Sequence, residues 1–277
     1  MKYLRYCILT SILINCTALF AQYNLKCPLV NTAFKTGEEL EYTAFFQWGG
    51  IIIDRLVINT KVTDDIYRKE DVYNISAIGH TEKVMRSFFS LRDTFQVMMR
   101  KKDLLSLYFY ERDIERKYNA VKNHHFYPIE NGMAVEAIEV KNGETKKNTE
   151  VFHDICPIDA LALLYRIRNY NFSNIAIGES TQFTFYRVDG VLNLSITYVG
   201  KENITLRDGN TYRCLRFYFE TSDGTLFSSE DPVSIWLTDD KNKIIVHAEA
   251  KLKIGYAKID LVKVSKNRYP LHYIKKK

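Results

Sequence analysis

The stretch KNKIIVHAEAKLKIGYAKIDLVKV, residues 241–264, alternates apolar and polar side chains, and the alternation changes phase at Gly255. Apolar side chains occupy even positions from Ile244 up to Gly255, and odd positions from Ala257 to Leu261. Alternation with a period of two predicts a β-strand with one buried face. One flat strand of this length would span roughly 70 Å, so the chain must bend. A one-residue β-bulge at Gly255 would shift the phase once and curl the sheet. The alternative is two separate strands joined through Gly255.

Short alternating segments separated by turn residues continue along the chain. The dipeptides Asn142-Gly143, Asp189-Gly190, Asp208-Gly209 and Asp223-Gly224 favour two-residue hairpin turns, and Thr238–Asn242 is a longer turn. Frequent turns and only five prolines favour antiparallel pairing. We therefore predict a mainly β fold, either a strongly curved antiparallel sheet or a partly open barrel. The predicted strands are 39–47, 51–62, 71–80, 93–100, 105–112, 117–127, 133–141, 144–152, 181–187, 191–199, 202–207, 210–220, 225–228, 233–238, 243–254 and 256–264.

One segment in the middle of the chain predicts a helix. Residues 156–170, CPIDALALLYRIRNY, carry Pro157 where the first helical turn tolerates it, followed by several alanines and leucines. Apolar residues cover most of its circumference, so we expect a buried helix that plugs or covers the sheet. A second, shorter helix is predicted at 82–89.

The first 21 residues have the pattern of a secretory signal peptide: a basic start, an apolar run and small residues near the end. Cleavage is expected between Ala21 and Gln22, which leaves residues 22–277 as a single β-rich domain, or as two β lobes that flank the helix. Residues 13–16 loosely resemble a lipidation box, but Asn15 stands where a small residue is expected, so we do not expect lipid anchoring at Cys16. No later stretch reaches the ~18 apolar residues of a transmembrane segment. We therefore expect a soluble, exported protein, periplasmic or secreted.

Charge and cysteine content narrow the function classes further. The net charge of +6 is mild and dispersed apart from Lys275–Lys277, so we predict no nucleic-acid partner. Cys27, Cys156 and Cys214 would remain after cleavage, which allows one disulfide by any of three pairings, or none. Their separations fit no zinc site.

A candidate nucleophile lies in VFHDICPIDA, residues 151–160. Cys156 stands at the predicted helix start, where the helix dipole favours a thiolate, and His153 could serve as its base, oriented by Asp154 or Asp159. A strand-to-helix junction does not ensure that His153 reaches the sulfur. Our interpretation is therefore structural: Asp154 or Cys156 caps the helix, and Cys156 is buried or forms a disulfide.

Residues 107–118, LYFYERDIERKY, place Glu111, Asp113 and Glu115 on one face of a strand. Such a row could bind a cation or serve as an acid/base pair on a glycan, but neighbouring basic residues favour a cross-strand ion network or a polar binding surface. The histidines lack metal-site spacing, and His124 and His125 point to opposite faces of one strand. Trp48 and Trp236 are expected in the core. We assign no catalytic residue, no metal and no cofactor.

Four motifs together resemble an exported bacterial family known as domain of unknown function 3108. They are AFKTGEELEYTAFFQW (33–48), PIDALALLYRIRNYNF (157–172), YVGKENI (198–204) and IWLTDDKNKIIVHAEAKLKIGYAKIDL (235–261). The resemblance runs from Ala33 to Val264. It implies a secreted or periplasmic β-rich protein without an established reaction, so no catalytic residue is carried over.

Three functions remain open at this point. The first is a non-enzymatic binding or carrier module of the bacterial envelope, in which the curved sheet shelters an apolar or amphipathic ligand, lipid-like or a glycan. The second is a structural or interaction protein with a filled core and an envelope protein as partner. The third is a hydrolase that uses Cys156 or the Glu111/Asp113 face. Alternation alone cannot separate a hollow sheet from a filled one, because apolar side chains line both.

Overall fold

The computed structural model describes residues 28–48, 51–81, 91–115, 118–221, 232–251 and 255–274. These residues form fourteen strands, one α-helix (α1, Ala160–Arg166) and a 3-10 turn (Ile167–Asn169). The strands are β1 (Glu39–Trp48), β2 (Ile51–Tyr67), β3 (Glu70–Thr81), β4 (Leu91–Arg100), β5 (Ser106–Glu115), β6 (Tyr118–Ile129), β7 (Gly132–Lys141), β8 (Glu144–His153), β9 (Ser180–Arg187), β10 (Gly190–Thr205), β11 (Thr211–Thr221), β12 (Val233–Thr238), β13 (Ile245–Lys251) and β14 (Tyr256–Ser265).

All fourteen strands of the described chain belong to one antiparallel sheet, in the order β8-β7-β6-β5-β4-β3-β2-β1-β14-β13-β12-β11-β10-β9. Consecutive strands pair with each other except β8 and β9, and the first and last strands, β1 and β14, pair at the centre. The two edge strands, β8 and β9, are not paired with each other, so the sheet stays open. The edges nevertheless approach, because the Asn148 amide on β8 lies 3.4 Å from the carbonyl oxygen of Val188, just after β9. The predicted curved, mainly β fold is confirmed.

The phase change at Gly255 comes from a hairpin, so the predicted β-bulge is wrong and the alternative, two separate strands joined through Gly255, is confirmed. Strands β13 and β14 are antiparallel partners, with Ala248 opposite Ile259 and Ala250 opposite Ala257. In this register, even residues of β13 share a face with odd residues of β14, so the apolar stripe stays on one face across the turn. Gly255 has a φ of 85°, a value that favours glycine in turns. Residues 252–254 lie outside the described residues.

Helix α1 begins at Ala160, four residues later than predicted. Asp159 is its N-cap, with the side chain accepting a hydrogen bond from the Ala162 N–H at 2.8 Å. The preceding residue, Ile158, is extended because it pairs with the edge strand β9: its N–H donates to the Thr184 carbonyl, and its carbonyl accepts from the Tyr186 N–H, both at 2.9 Å. Pairing with the edge strand β9 therefore keeps extended a residue that composition predicted in the first helical turn.

The helix packs between the two halves of the curved sheet, so the predicted buried helix is confirmed. Leu161, Ala162 and Tyr165 belong to a buried cluster with strands β2 to β8 and with Tyr186 of β9. Leu163 and Ile167 belong to a second cluster with strands β10 to β12. Because opposite sides of the helix face opposite halves of the sheet, burial extends around most of the helix.

A buried ion pair ties the end of this helical segment to the chain just before β1. The Arg168 guanidinium donates two hydrogen bonds to the Glu38 carboxylate, at 2.6 and 2.9 Å. Its Nε also donates to the Asn242 carbonyl at 3.0 Å, in the turn before β13. Both charged side chains are almost fully buried, at 3% and 0% exposure. The pair therefore joins three segments that are distant in sequence.

The remaining turn predictions have mixed outcomes. Asn142-Gly143 joins β7 to β8 with φ of 51° and 90°, as predicted. At Asp189-Gly190 the turn residues are Val188 and Asp189, because Gly190 already pairs with Arg187. The predicted strands 191–199 and 202–207 are one strand, β10, with a register shift between Tyr198 and Gly200.

Several predictions lie outside the described residues. They are the signal peptide at 1–21 with Cys16, the cysteine at 27, the helix at 82–89, the Asp223-Gly224 turn and the strand at 225–228. Within the described ranges, the structure contains no helix with the length and apolar character needed to cross a membrane.

Candidate functional site

A cavity of about 440 Å³ lies between strands β4 to β8 on one side and strand β9 with its following turn on the other. Its apolar wall consists mainly of Phe95, Phe109 and Phe185, and Ala160 at the start of α1 also lines it. The curvature of the sheet creates this cavity, because it brings β9 opposite β5 and β6, with which it does not pair. Three aromatic rings from three strands thus surround one space.

Two buried polar side chains in the cavity wall have unsatisfied polar atoms. His124, on β6, is 3% exposed, and its ring centroid lies 5.3 Å from that of Phe109 and 5.1 Å from that of Tyr186 on β9. Neither ring nitrogen of His124 nor the hydroxyl of Tyr186 has a hydrogen-bond partner among the described residues. Such buried groups are normally paired. These three atoms are enclosed by neighbouring aromatic rings and remain unpaired inside the cavity wall.

The surroundings keep both groups uncharged at neutral pH. Burial, with a smaller contribution from the nearby charge of Lys122, lowers the pKa of His124 to about 4, so its imidazole is neutral. Burial raises the pKa of Tyr186 to about 12, so its hydroxyl stays protonated. A neutral imidazole offers one N–H donor and one acceptor nitrogen, and the phenol can donate and accept.

The predicted cross-strand ion network is present beside this wall. Lys122, on β6, binds the Glu111 carboxylate directly opposite it on β5 and lies 3.7 Å from the Asp113 carboxylate. Burial raises the pKa of Glu111 to about 7, although Lys122 opposes this shift. Asp113 repels the Glu111 charge and adds to the rise. The side chain of Glu115, the third predicted member, lies outside the described residues.

We expect Glu111→Gln to change how stability depends on pH. Folding raises the pKa of Glu111 from 4.5 to about 7, so the folded state holds a proton that the unfolded chain releases in this range. The contribution of Glu111 is thus fully present below pH 4.5 and is lost as the pH rises to about 7. The excess free energy of unfolding of the parent protein over the variant should fall by on the order of 2 kcal/mol between pH 4.5 and 7.5.

Urea unfolding at several pH values measures this difference. Comparison with the variant is needed because His124, whose pKa is lowered, contributes the opposite slope between about pH 4 and 6.5. Glu144→Gln, at an exposed position in the β7–β8 hairpin, is the control for the Glu-to-Gln substitution itself. A Glu111→Gln curve parallel to the parent curve would contradict the expectation.

The candidate nucleophile Cys156 lies before helix α1 and not at its first turn. It precedes the first helical residue by four positions, and Asp159 occupies the cap, so neither Asp154 nor Cys156 caps the helix. Cys156 is buried in the core cluster around α1, whereas His153 is exposed at the end of β8. This burial agrees with the structural interpretation of Cys156.

The other residues that the sequence singled out, Cys214 and Trp236, lie away from the cavity. Cys214 is a free, buried thiol, and burial raises its pKa to about 12. Trp236 is buried, as expected, and its indole N–H donates to Glu202 at 2.6 Å. The side chain of Trp48 lies outside the described residues. Among the described histidines, cysteines and carboxylates, no three are grouped to hold a metal ion.

Sequence reasoning missed the contribution of β9 to the site. It selected the Glu111/Asp113 face and noted that His124 and His125 point oppositely; His125 indeed turns away from the cavity and lies 3.1 Å from the Tyr67 hydroxyl. The sequence predicts only a strand at Phe185, Tyr186 and Arg187. No local pattern in β9 indicates which distant strand β9 will face.

Most of the chain matches the model of one known protein family. The family model described as "Protein of unknown function (DUF3108)" matches residues 41–262. The chain belongs to the DUF3108 family. The resemblance that the four motifs indicated is thereby confirmed, and the family description assigns no reaction.

Two solved structures are similar to this DUF3108 chain. The crystal structure of a beta-barrel-like protein of domain of unknown function DUF1849 from Brucella abortus shares 10% identity, covers 84% of this chain and 99% of its own, and has a TM-score of 0.53. At this identity the likeness shows the fold alone. A "putative lipoprotein" from Parabacteroides distasonis ATCC 8503 shares 12% identity, covers 86% and 99%, and has a TM-score of 0.33. A comparison with curated proteins found no match.

Proposed function

We propose that this DUF3108 protein is an exported, non-enzymatic binding or carrier protein of the bacterial envelope, periplasmic or secreted, which holds an amphipathic small molecule in the cavity between β4–β8 and β9. The observation that carries the proposal is the cavity of about 440 Å³ itself, since ligand sites commonly measure roughly 300–1,000 Å³. In this view residues 1–21 direct export and residues 22–277 act as one β-rich domain.

The chemistry of the cavity wall supports binding over a purely structural role. Leaving a buried polar group without a partner costs about 1–3 kcal/mol, so a sheet that serves packing alone would place apolar side chains at His124 and Tyr186. Aromatic rings face the same space, and the exposed Lys146 and Asp189 line its outer part. Apolar, neutral polar and charged surfaces in succession suit an amphipathic molecule.

The carboxylates of the site favour binding over catalysis. Glu111 and Asp113 both lie within ion-pair distance of the single ammonium of Lys122. A pair that acts as acid and base on a glycan requires two separately tuned carboxyl groups on either side of the substrate. Here the two carboxylates lie two residues apart on one strand and share one counter-charge.

Native mass spectrometry of the protein purified from its own envelope tests the proposal. We expect a reproducible excess mass that solvent extraction removes. Ala160→Phe, which places a ring into the cavity, should abolish the excess mass, whereas Ala176→Phe, at an exposed position outside the cavity, should retain it. A bare-chain mass for the parent protein would contradict the proposal and would favour a structural protein with a filled core.

A further inference from the structure

The mouth of the cavity lies at the gap between the two edge strands, β8 and β9. Among the described residues that line the cavity, two are exposed: Lys146 on β8 and Asp189 in the turn after β9. They belong to opposite sides of the gap. The cavity therefore meets solvent where the sheet is not closed.

This gap is the weakest join in the wall around the cavity. From β4 to β8 every strand is paired with its neighbour, and β7 and β8 share ten paired residues. Strand β9 shares eight pairs with β10. Between β8 and β9, both of which are fully described, no ladder forms. The two edges can therefore separate without breaking the backbone hydrogen bonds of either hairpin.

The end of the gap near helix α1 is held closed. The Ile158 N–H donates to the Thr184 carbonyl, and the Tyr186 N–H donates to the Ile158 carbonyl, both at 2.9 Å. The Phe152 ring on β8 also packs against the Tyr186 ring on β9, with centroids 5.9 Å apart. Because Ile158 immediately precedes the N-cap of a buried helix, this end is fixed to the core and can serve as a hinge.

Toward the β9–β10 turn, a side-chain hydrogen bond spans the gap. The Asn148 amide nitrogen lies 3.4 Å from the Val188 carbonyl oxygen, which is long for such a bond. The same nitrogen donates to the Glu150 carboxylate on its own strand, so the amide keeps a partner when the contact with Val188 breaks. Val188 is 7% exposed and packs in the cluster around α1, so the closed position is the resting one.

We propose that the gap between β8 and β9 is a gate through which the ligand reaches the cavity. The β9–β10 turn moves away from β8, with the Asn148–Val188 hydrogen bond as the latch and the Ile158 pairing as the hinge. When Val188 returns to the core cluster, the ligand is enclosed. This inference rests on the proposed function, which supplies the ligand.

Labelling of a thiol inside the cavity tests the gate without any ligand. Ala160→Cys places a thiol on the cavity wall, and Ala176→Cys places one at an exposed position outside the cavity. The extracted, ligand-free full-length mature chain is treated with small methyl methanethiosulfonate or with bulky fluorescein maleimide, and peptide mass spectrometry follows each introduced site separately from the native cysteines. The ratio of bulky to small labelling rates should be at least about tenfold lower for Ala160→Cys, because the bulky reagent must wait for opening.

Loss of the latch should open the gate more often. In the Ala160→Cys protein, Asn148→Ala should raise the rate of bulky labelling about three- to tenfold, the ratio expected for loss of one hydrogen bond. Asn148→Asp keeps the shape but cannot donate, so it should act likewise and remains informative if the alanine variant folds poorly. Thr149→Ala, at the next residue of β8 and on its opposite face, is exposed and should leave the rate unchanged.

The outcomes distinguish failure of the gate from failure of the proposed function. Equal rate ratios for Ala160→Cys and Ala176→Cys would mean that the passage is permanently open. Equal bulky labelling rates for folded Asn148→Asp and Thr149→Ala would mean that the gap is not the way in. Either result would overturn the inference, and the proposed function would still stand if the envelope-purified protein carries an extractable mass. A bare-chain mass would remove the proposed function, whatever the labelling rates.

Discussion

Replacing Glu38 by glutamine should lower the free energy of unfolding by about 3–5 kcal/mol, because it leaves the Arg168 guanidinium buried without its counter-charge. The Glu38 and Arg168 side chains are 0% and 3% exposed, so water cannot replace the lost carboxylate charge. Equilibrium unfolding in urea measures the loss, because the urea midpoint of each variant is converted to a free energy of unfolding with a common m-value.

The neighbouring residue provides a matched control. Glu39 forms an ion pair with Lys61 at 2.9 Å, but both side chains are largely exposed, and exposed pairs contribute little. Glu39→Gln should therefore leave the urea midpoint nearly unchanged. The double variant Glu38→Met/Arg168→Met should recover most of the stability, since apolar side chains of similar volume often replace a buried pair without loss. Equal midpoints for Glu38→Gln and Glu39→Gln would refute the role given to this pair.

Asp159→Ala should lower the free energy of unfolding by about 2–3 kcal/mol. The Asp159 carboxylate is 1% exposed, accepts from the Ala162 N–H at 2.8 Å and accepts from the Ser106 hydroxyl at 2.9 Å. Alanine removes the helix cap and leaves both buried donors without this acceptor. The loss of stability is smaller than the sum of the helix-cap contribution and the Ser106 hydrogen-bond contribution. Burial of the carboxylate is itself unfavourable, and it raises the pKa of Asp159 to about 6.

Asparagine at the same position separates the two contributions. Asp159→Asn keeps an acceptor oxygen without a buried charge, so it should cost less than half as much as alanine at pH 7. Asp71→Ala, at an exposed position on β3, is the control and should change stability by less than about 0.5 kcal/mol. If Asp159→Ala and Asp71→Ala unfold at the same urea concentration, the cap and its bond to β5 do not stabilise the protein.

Local patterns were sufficient to predict most of the fold. The alternation of Leu192, Leu194 and Ile196 on β10 is recovered as alternating burial, and the Asn142-Gly143 turn lies where its backbone preference places it. The errors occur where local preference meets a distant partner. Gly255 marks a hairpin because β13 and β14 pair with each other, and Ile158 stays extended because β9 occupies its hydrogen bonds.

The candidate site was predictable only in part, for the same physical reason. The Glu111/Asp113 row is visible in the sequence because it lies on a single strand. Tyr186 on β9 contacts the His124 ring on β6 only because the whole sheet curves. Glu38 and Arg168 are 130 residues apart, so no local pattern joins them. Contacts between distant segments therefore form both the buried ion pair and the candidate site.

The strand order has a consequence for chain connectivity. Read from edge to edge, the sheet runs β9 to β14 and then β1 to β8, each half in chain order. The described ends of the chain meet, because the Arg268 guanidinium donates to the Asn31 carbonyl at 3.0 Å. A circular permutant that begins at β9 and ends at β8 would be an uninterrupted antiparallel meander, in which every strand pairs only with its immediate neighbours in sequence. The long-range β1–β14 pairing would become a local hairpin, and the segment with α1 would lie at the termini instead of linking the two edges.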